Sequence, residues 1–246
     1  MRSFGIGKKA EKEFACYPVG ERAMVVEFGQ VIDENINKKV QSMTAYLEEK
    51  EIKGIQELLP TFRSLMIFYN PCDISYSRLV RKINHCRLSD MDKAGEQKRI
   101  LKIPCLYDGE DLQDMEAITG LSRQEIIKIH SDTDYRIYML GFLPGFVYLG
   151  GLDERIHATR LQSPRVRIEP GSVGIGGSQT GIYPMASPGG WRLLGRTPLR
   201  MYDAERENPI LCKAGEYIRF TPIDQETFHD IKRQVMLGTY QPEWVM

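Results

Sequence analysis

The stretch Gly141-Phe-Leu-Pro-Gly-Phe-Val-Tyr-Leu-Gly-Gly151 is where the pattern of this chain changes. Downstream of it helical periodicity stops. Between Gly141 and Pro198 lie 12 of the 22 glycines and six of the 13 prolines. Short β-type runs at Arg165–Ile168, Ser172–Ile175, Trp191–Leu194, Leu199–Tyr202 and Tyr217–Phe220 are separated by turn signals. This predicts an all-β barrel or sandwich carrying functional loops. Thr227 to Met236 reads as a late helix.

Upstream, strands and helices alternate. Phe14–Tyr17 and Arg22–Phe28 read as a strand pair joined around Pro18-Val-Gly20. Asp33 can cap a helix whose apolar positions Ile36, Val40, Met43 and Leu47 share one face, with Gly54 as its expected stop. Ile55–Leu59 and Leu65–Tyr69 read as a hairpin, and Ser75 can cap a second helix carrying Tyr76, Leu79, Val80 and Ile83. The order β-β-α-β-β-α predicts a small α+β sandwich over residues 1–95. Asp90 to Lys98 is polar, contains Gly95 and is the expected linker. A second domain, 96–246, opens with a strand at Arg99–Tyr107 and a short helix over Asp111–Ile118 ended by Gly120. Ser122-Arg-Gln-Glu125 is a capping box that opens another helix, ending at His130. The strand Tyr135–Leu140 follows.

Charge and cysteines narrow the class. Thirty-three Lys+Arg balance 33 Asp+Glu, and 42% of residues are hydrophobic. Neutrality argues against a nucleic-acid binder. No run reaches the roughly 18 apolar residues of a membrane helix. The N-terminus lacks the apolar run of a secretory signal, so the expected compartment is the cytoplasm. The five cysteines, Cys16, Cys72, Cys86, Cys105 and Cys212, form no C-x-x-C pair. No disulfide framework or metal site is expected, and the histidines at 85, 130, 157 and 229 form no metal-binding repeat.

The glycine-rich region carries its charge in one form. No lysine occurs between Lys128 and Lys213, while arginine stands at 136, 155, 160, 165, 167, 192, 196, 200 and 206. Arginine offers a planar fork for a carboxylate or phosphate, and Arg165 and Arg196 are the candidate anion contacts. Pairing with acids such as Asp153, Glu154 and Asp203 is the competing reading. Gly171-Ser-Val-Gly-Ile-Gly-Gly lacks the Lys-Ser/Thr of a P-loop, and Gln179 breaks the G-x-G-x-x-G spacing. No G-x-S-x-G elbow is present. His130, at a helix end, is either an acid–base group or polar ligand contact, or a contact of terminal carbonyls. Gln179, Thr180, Ser187 and Thr197 suit an amide or carboxylate, and would look the same as turn formers. Tyr183 and Trp191 are pocket wall or core.

The set His130-x-x-x-x-Tyr135, Gly141-Phe-Leu-Pro-Gly-Phe146 with Tyr148-Leu149, Pro164-Arg165, Gly171-Ser-Val173, Gln179-Thr-Gly-Ile-Tyr-Pro184, Ser187-Pro-Gly-Gly-Trp191 and Gly195-Arg-Thr-Pro198 closely resembles one family. It contains allophanate hydrolase subunit 1, the B subunit of bacterial ATP-dependent 5-oxoprolinase, and the KipI-type inhibitor of sporulation kinases. The chain departs from it at Ile168-Glu-Pro-Gly-Ser-Val173, where Val-Pro-Ala-Gly-Ser-Val is usual.

The resemblance implies an α+β N-terminal domain followed by a cyclophilin-like β-barrel. It implies cleavage of 5-oxoproline to glutamate, driven by ATP, by a complex with A and C subunits in which this chain alone is inactive. Two further roles come with it: an inhibitor binding a sensor histidine kinase, and an allophanate hydrolase or urea carboxylase subunit. For the lactam reaction, His130 and Arg196 are expected to be catalytic. Arg165, Gln179, Thr180, Tyr183, Ser187, Gly189, Gly190 and Thr197 are expected to bind substrate, with Gly141, Pro144, Gly145 and Gly171 shaping the loops.

Overall fold

The structure, a computed structural model, describes residues 14–85 and 98–246. The chain divides into two compact units, Met1–Gly95 and Glu96–Met246. The expected linker lies, apart from Lys98, outside the described residues.

In the first unit, β1 (Ala15–Val19) and β2 (Ala23–Glu27) form a hairpin turning at Gly20, φ 60°. Helix α1 (Glu34–Lys50) is capped by Asp33, whose Oδ1 accepts from the Asn35 and Ile36 amides. Its stripe of Val40, Met43 and Leu47 is buried. The helix stops at Glu51, φ 41°, three residues before the expected Gly54. Gly54 serves the next turn instead, where a Cβ would lie 2.6 Å from Ile74 Cγ2. Then come β3 (Ile55–Pro60), β4 (Ser64–Tyr69) and α2 (Tyr76–Asn84), the last capped by Ser75. The antiparallel sheet runs β1-β2-β4-β3. Alternation along β4 buries Leu65, Ile67 and Tyr69 in one core with Met24, Val26, Leu79 and Ile83. Each such aliphatic side chain contributes about 1.5–3 kcal/mol.

The second unit contains β5 (Ile100–Cys105), α3 (Leu112–Thr119), α4 (Arg123–Ser131), β6 (Tyr135–Leu140), β7 (Val147–Gly150), β8 (Arg165–Ile168) and β9 (Ser172–Gly176). It continues with β10 (Gln179–Ile182), β11 (Ser187–Gly189), β12 (Arg192–Arg196), β13 (Tyr217–Pro222), α5 (Gln225–Met236) and β14 (Trp244–Val245). The Ser122–Glu125 capping box is present in both directions. Strands β7, β10, β11 and β14 carry no clear signal in the sequence. Leu199–Tyr202, expected as a strand, makes only the bridge Tyr202–Ile210. Pro198 removes a donor there, and the Leu199 amide is spent on Thr197 Oγ1 at 3.3 Å.

Eight strands are ordered β12-β9-β10-β7-β6-β13-β5-β14, with β8 and β11 a separate ribbon. Strands β13 and β5 are parallel. The unit is therefore a strand-rich mixed α/β structure rather than all-β. No closed barrel is found among the described residues. The reason is local. β5 has β13 on one side and β14 on the other, at Ile100 and Leu101. It reaches β12 only past its end, through the bridge Leu106–Arg196. Among the described residues no helix is long and apolar enough to cross a membrane.

Candidate functional site

His130 ends α4, and its ring turns inward. It is fully buried and stacks on Phe220 at 4.5 Å. Its Nδ1 lies 2.7 Å from Tyr107 Oη and its Nε2 lies 2.8 Å from Thr180 Oγ1. Thr180 gives its single hydroxyl proton to the Gly174 carbonyl at 3.0 Å. It must therefore accept from Nε2, which leaves Nδ1 to accept from Tyr107. Burial pulls the imidazole down from the usual 6.5 to about 3, so it is neutral at pH 7. Both nitrogens are occupied. His130 ties α4 to β10: with its nitrogens on Tyr107 and Thr180 it does not cap the terminal carbonyls and has no free nitrogen for the expected acid–base or ligand contact.

The expected anion contacts are neutralised from within. Arg165 donates from Nη2 to both oxygens of Asp111, at 2.8 and 2.9 Å, pairs with Glu110 at 2.7 Å and donates to the Trp191 carbonyl at 3.2 Å. Asp111, 4% exposed, also accepts the Leu193 amide at 2.6 Å. Asp111 precedes α3 without capping it, because its carboxylate is spent on Arg165 and β12. Arg192 pairs with Asp114 at 2.5 Å. Arg196 pairs with Asp108 at 2.7 Å and lies over the Phe228 ring at 4.8 Å. The acids of 108–114 thus stitch this segment to β8 and β12. Arg155, Arg167 and Arg200 pair with Asp153, Glu169 and Asp203. Glu169, the residue at the departure from the family pattern, is Arg167's partner.

Most glycines of the region face the chain's own atoms. A Cβ at Gly171 would lie 2.4 Å from the Thr197 carbonyl, and one at Gly176 would lie 2.3 Å from Trp191 Nε1. These are packing glycines and leave no room for a phosphate. Gly145, φ 79°, turns against Tyr202, and the Gly141 amide donates to the Phe146 carbonyl at 3.2 Å. Pro144 is exposed in this loop, and Phe142 is held at φ 65° and 66% exposed. Thr197 is buried, its amide bonded to the Gly171 carbonyl at 2.8 Å. Gln179 is half-buried at the start of β10.

A second set of candidates does converge. Phe146, Ile168, Tyr183, Trp191 and Leu193 form a cluster of their own, with Tyr148 against it. Its rings meet edge to face: Phe146–Tyr183 at 5.5 Å, Phe146–Trp191 at 5.6 Å and Tyr183–Trp191 at 6.2 Å. Gly189 lets β11 press on the Tyr183 hydroxyl, 2.4 Å from where a Cβ would stand. Gly190 adjoins Arg160, whose guanidinium lies 5.9 Å from the Trp191 ring centre. Burial raises the Tyr148 and Tyr183 phenols, and the charge of Arg160 opposes the rise at both. Ser187 is 7% exposed and its Oγ has no partner. In the sequence Arg160 is one arginine among nine, Tyr148 a motif residue and Tyr107 a strand end, and none is marked as a site residue. The absence of lysine drew notice to the arginines together, and pairing alone separates them.

The fold and this cluster define the class: the chain belongs to the carboxyltransferase domain family, subdomains C and D, whose family model matches residues 14–212. Among its relatives is the 5-oxoprolinase B subunit of Bacillus subtilis (strain 168), 40% identical over 88% of this chain and 95% of that protein. The 5-oxoprolinase B subunit of Escherichia coli O157:H7 is 36% identical over 84% and 95%. The crystal structure of TTHA0988 superposes with a TM-score of 0.77 at 33% identity over 82% of this chain, which spans 40% of the chain it matches there.

Proposed function

We propose that this chain is the B subunit of an ATP-dependent 5-oxoprolinase, acting with A and C subunits to open 5-oxoproline to glutamate. The observation that carries the reading is end-to-end similarity, 40% identity over 95% of a protein named for that role. Net, water adds across the lactam: the C–N bond breaks, the carbonyl carbon gains oxygen and the nitrogen becomes the amine of glutamate.

The second unit offers no triphosphate cradle in its glycine-rich run. Its glycine-rich run Gly171–Gly177 is strand and turn, closed at Gly171 by the Thr197 carbonyl and at Gly176 by Trp191. No lysine is near. ATP enters the reading at the level of the assembly, and this chain contributes recognition and support.

The test is release of glutamate from 5-oxoproline by a mixture of A, B and C subunits with ATP. Turnover is expected to vanish when this chain is omitted. Undiminished turnover without it overturns the reading.

A further inference from the structure

Nine arginines lie between residues 136 and 206. Six hold carboxylates: Arg155, Arg165, Arg167, Arg192, Arg196 and Arg200. Arg136 donates to Tyr217 Oη at 3.1 Å, and Arg206 to the Arg200 and Pro209 carbonyls at 2.7 and 3.3 Å. Arg160 alone among them has no hydrogen bond or ion pair with the described residues. Its only contact of this kind is the Trp191 ring.

Arg160 is exposed, with its guanidinium 5.9 Å from the Trp191 ring centre, so its N–H groups are open to a carboxylate, which an arginine fork can meet in plane. The floor beside it is apolar and aromatic. Gly190 lies against this arginine: a Cβ there would meet the Leu161 carbonyl at 3.5 Å and Arg160 Cβ at 3.8 Å, ordinary contact distances. The second, independent observation is Ser187. It is buried on β11 with an unsatisfied hydroxyl, and Gly189, two residues on, presses against Tyr183. A buried hydroxyl left unpaired costs about 1–3 kcal/mol, so such groups usually have a partner.

We propose that Arg160, beside the Trp191 ring at the edge of the aromatic cluster, is the anchor for a small ring compound bearing one carboxylate, with the Ser187 hydroxyl as its neutral contact. Resting on the 5-oxoprolinase reading, the ligand is the lactam acid itself: carboxylate on Arg160, ring on the aromatic floor. The arginines expected to do this, Arg165 and Arg196, are already occupied.

The two tryptophans, Trp191 and Trp244, allow a direct test on the full chain. In Trp244→Phe, the fluorescence of Trp191 is titrated with 5-oxoproline, with pyrrolidin-2-one, which lacks the carboxylate, and with acetate. Saturable change is expected with 5-oxoproline and none with pyrrolidin-2-one. Saturation by acetate at equal concentration would show a bare anion site and overturn the ring specificity. Adding Arg160→Gln is expected to weaken 5-oxoproline about tenfold or more, the worth of hydrogen bonds to a charged group. Arg160→Lys should recover part of it. Unchanged affinity in Arg160→Gln overturns the proposal. In the full A, B and C mixture the same variant should raise KM about tenfold, and an unchanged KM in a mixture that needs this chain also overturns it. Turnover that does not need the chain sinks the 5-oxoprolinase reading, while the titration still decides the site.

Discussion

The segment Asp108–Asp114 and the aromatic patch around Trp191 treat arginine in opposite ways. In the first, Asp108, Glu110, Asp111 and Asp114 neutralise Arg196, Arg165 and Arg192 and bind one stretch of backbone to two strands. In the second, Arg160 meets only a ring. The side chain is the same and the consequence differs. A guanidinium given a fixed carboxylate is scaffold, whereas one given an aromatic face and no anion is poised for a ligand.

The comparison breaks first at Asp111. Asp111→Ala leaves Arg165 without its buried partner and the Leu193 amide without an acceptor, and should cost about 3 kcal/mol or more. A urea midpoint shift at unchanged slope reads this directly. A loss below about 0.5 kcal/mol would mean the stitch is ornamental.

His130 adds a third treatment of a polar group: buried, neutral and doubly bonded. It titrates at the usual 6.5 when unfolded and at about 3 when folded. Between those values the unfolded chain binds the extra proton, so stability is full above pH 6.5 and falls as pH falls toward 3. The slope contributed is about 1.4 kcal/mol per pH unit. Urea titrations at pH 6.5, 5.5 and 4.5 should show it, and His130→Gln should flatten it. Equal slopes in both proteins would remove the buried neutral imidazole from the account.

The smallest effects separate the two arginine classes most cleanly. Arg196→Ala breaks an exposed pair and should cost no more than about 1 kcal/mol. Arg160→Gln should leave stability within about 0.5 kcal/mol of wild type. A melting comparison of the two checks the order, and a larger loss at Arg160 would make it scaffold after all.

The first unit was nearly all legible because its signals are local. Asp33 and Ser75 cap the helices they precede, and the apolar spacing of Val40, Met43 and Leu47 is one helix face. Alternation in Leu65–Tyr69 is a half-buried strand. Two boundaries differ: the helix ends at Glu51 rather than Gly54, and Pro18 and Val19, expected in the turn, belong to the paired strand β1. The second unit was legible as strands and turns and not as topology. Its strands pair across long separations, β5 with β13 and Leu106 with Arg196. Nothing near Ile100 in sequence announces that Val245 will take the edge beside it.

By itself the amino-acid sequence determined the family motifs, the capped helices, the glycine-dense stretch 141–198 and the exclusive use of arginine there. Those are statements about neighbours along the chain and about composition. Tertiary structure alone decided which glycines are closed by backbone, why His130 is neutral and which of these arginines meets no hydrogen-bond acceptor among the described residues. Each depends on an atom supplied from elsewhere in the fold: Thr197 for Gly171, Thr180 for His130, Asp111 for Arg165. Charge pairing and burial are set by distance in space, and a sequence records only distance along the chain.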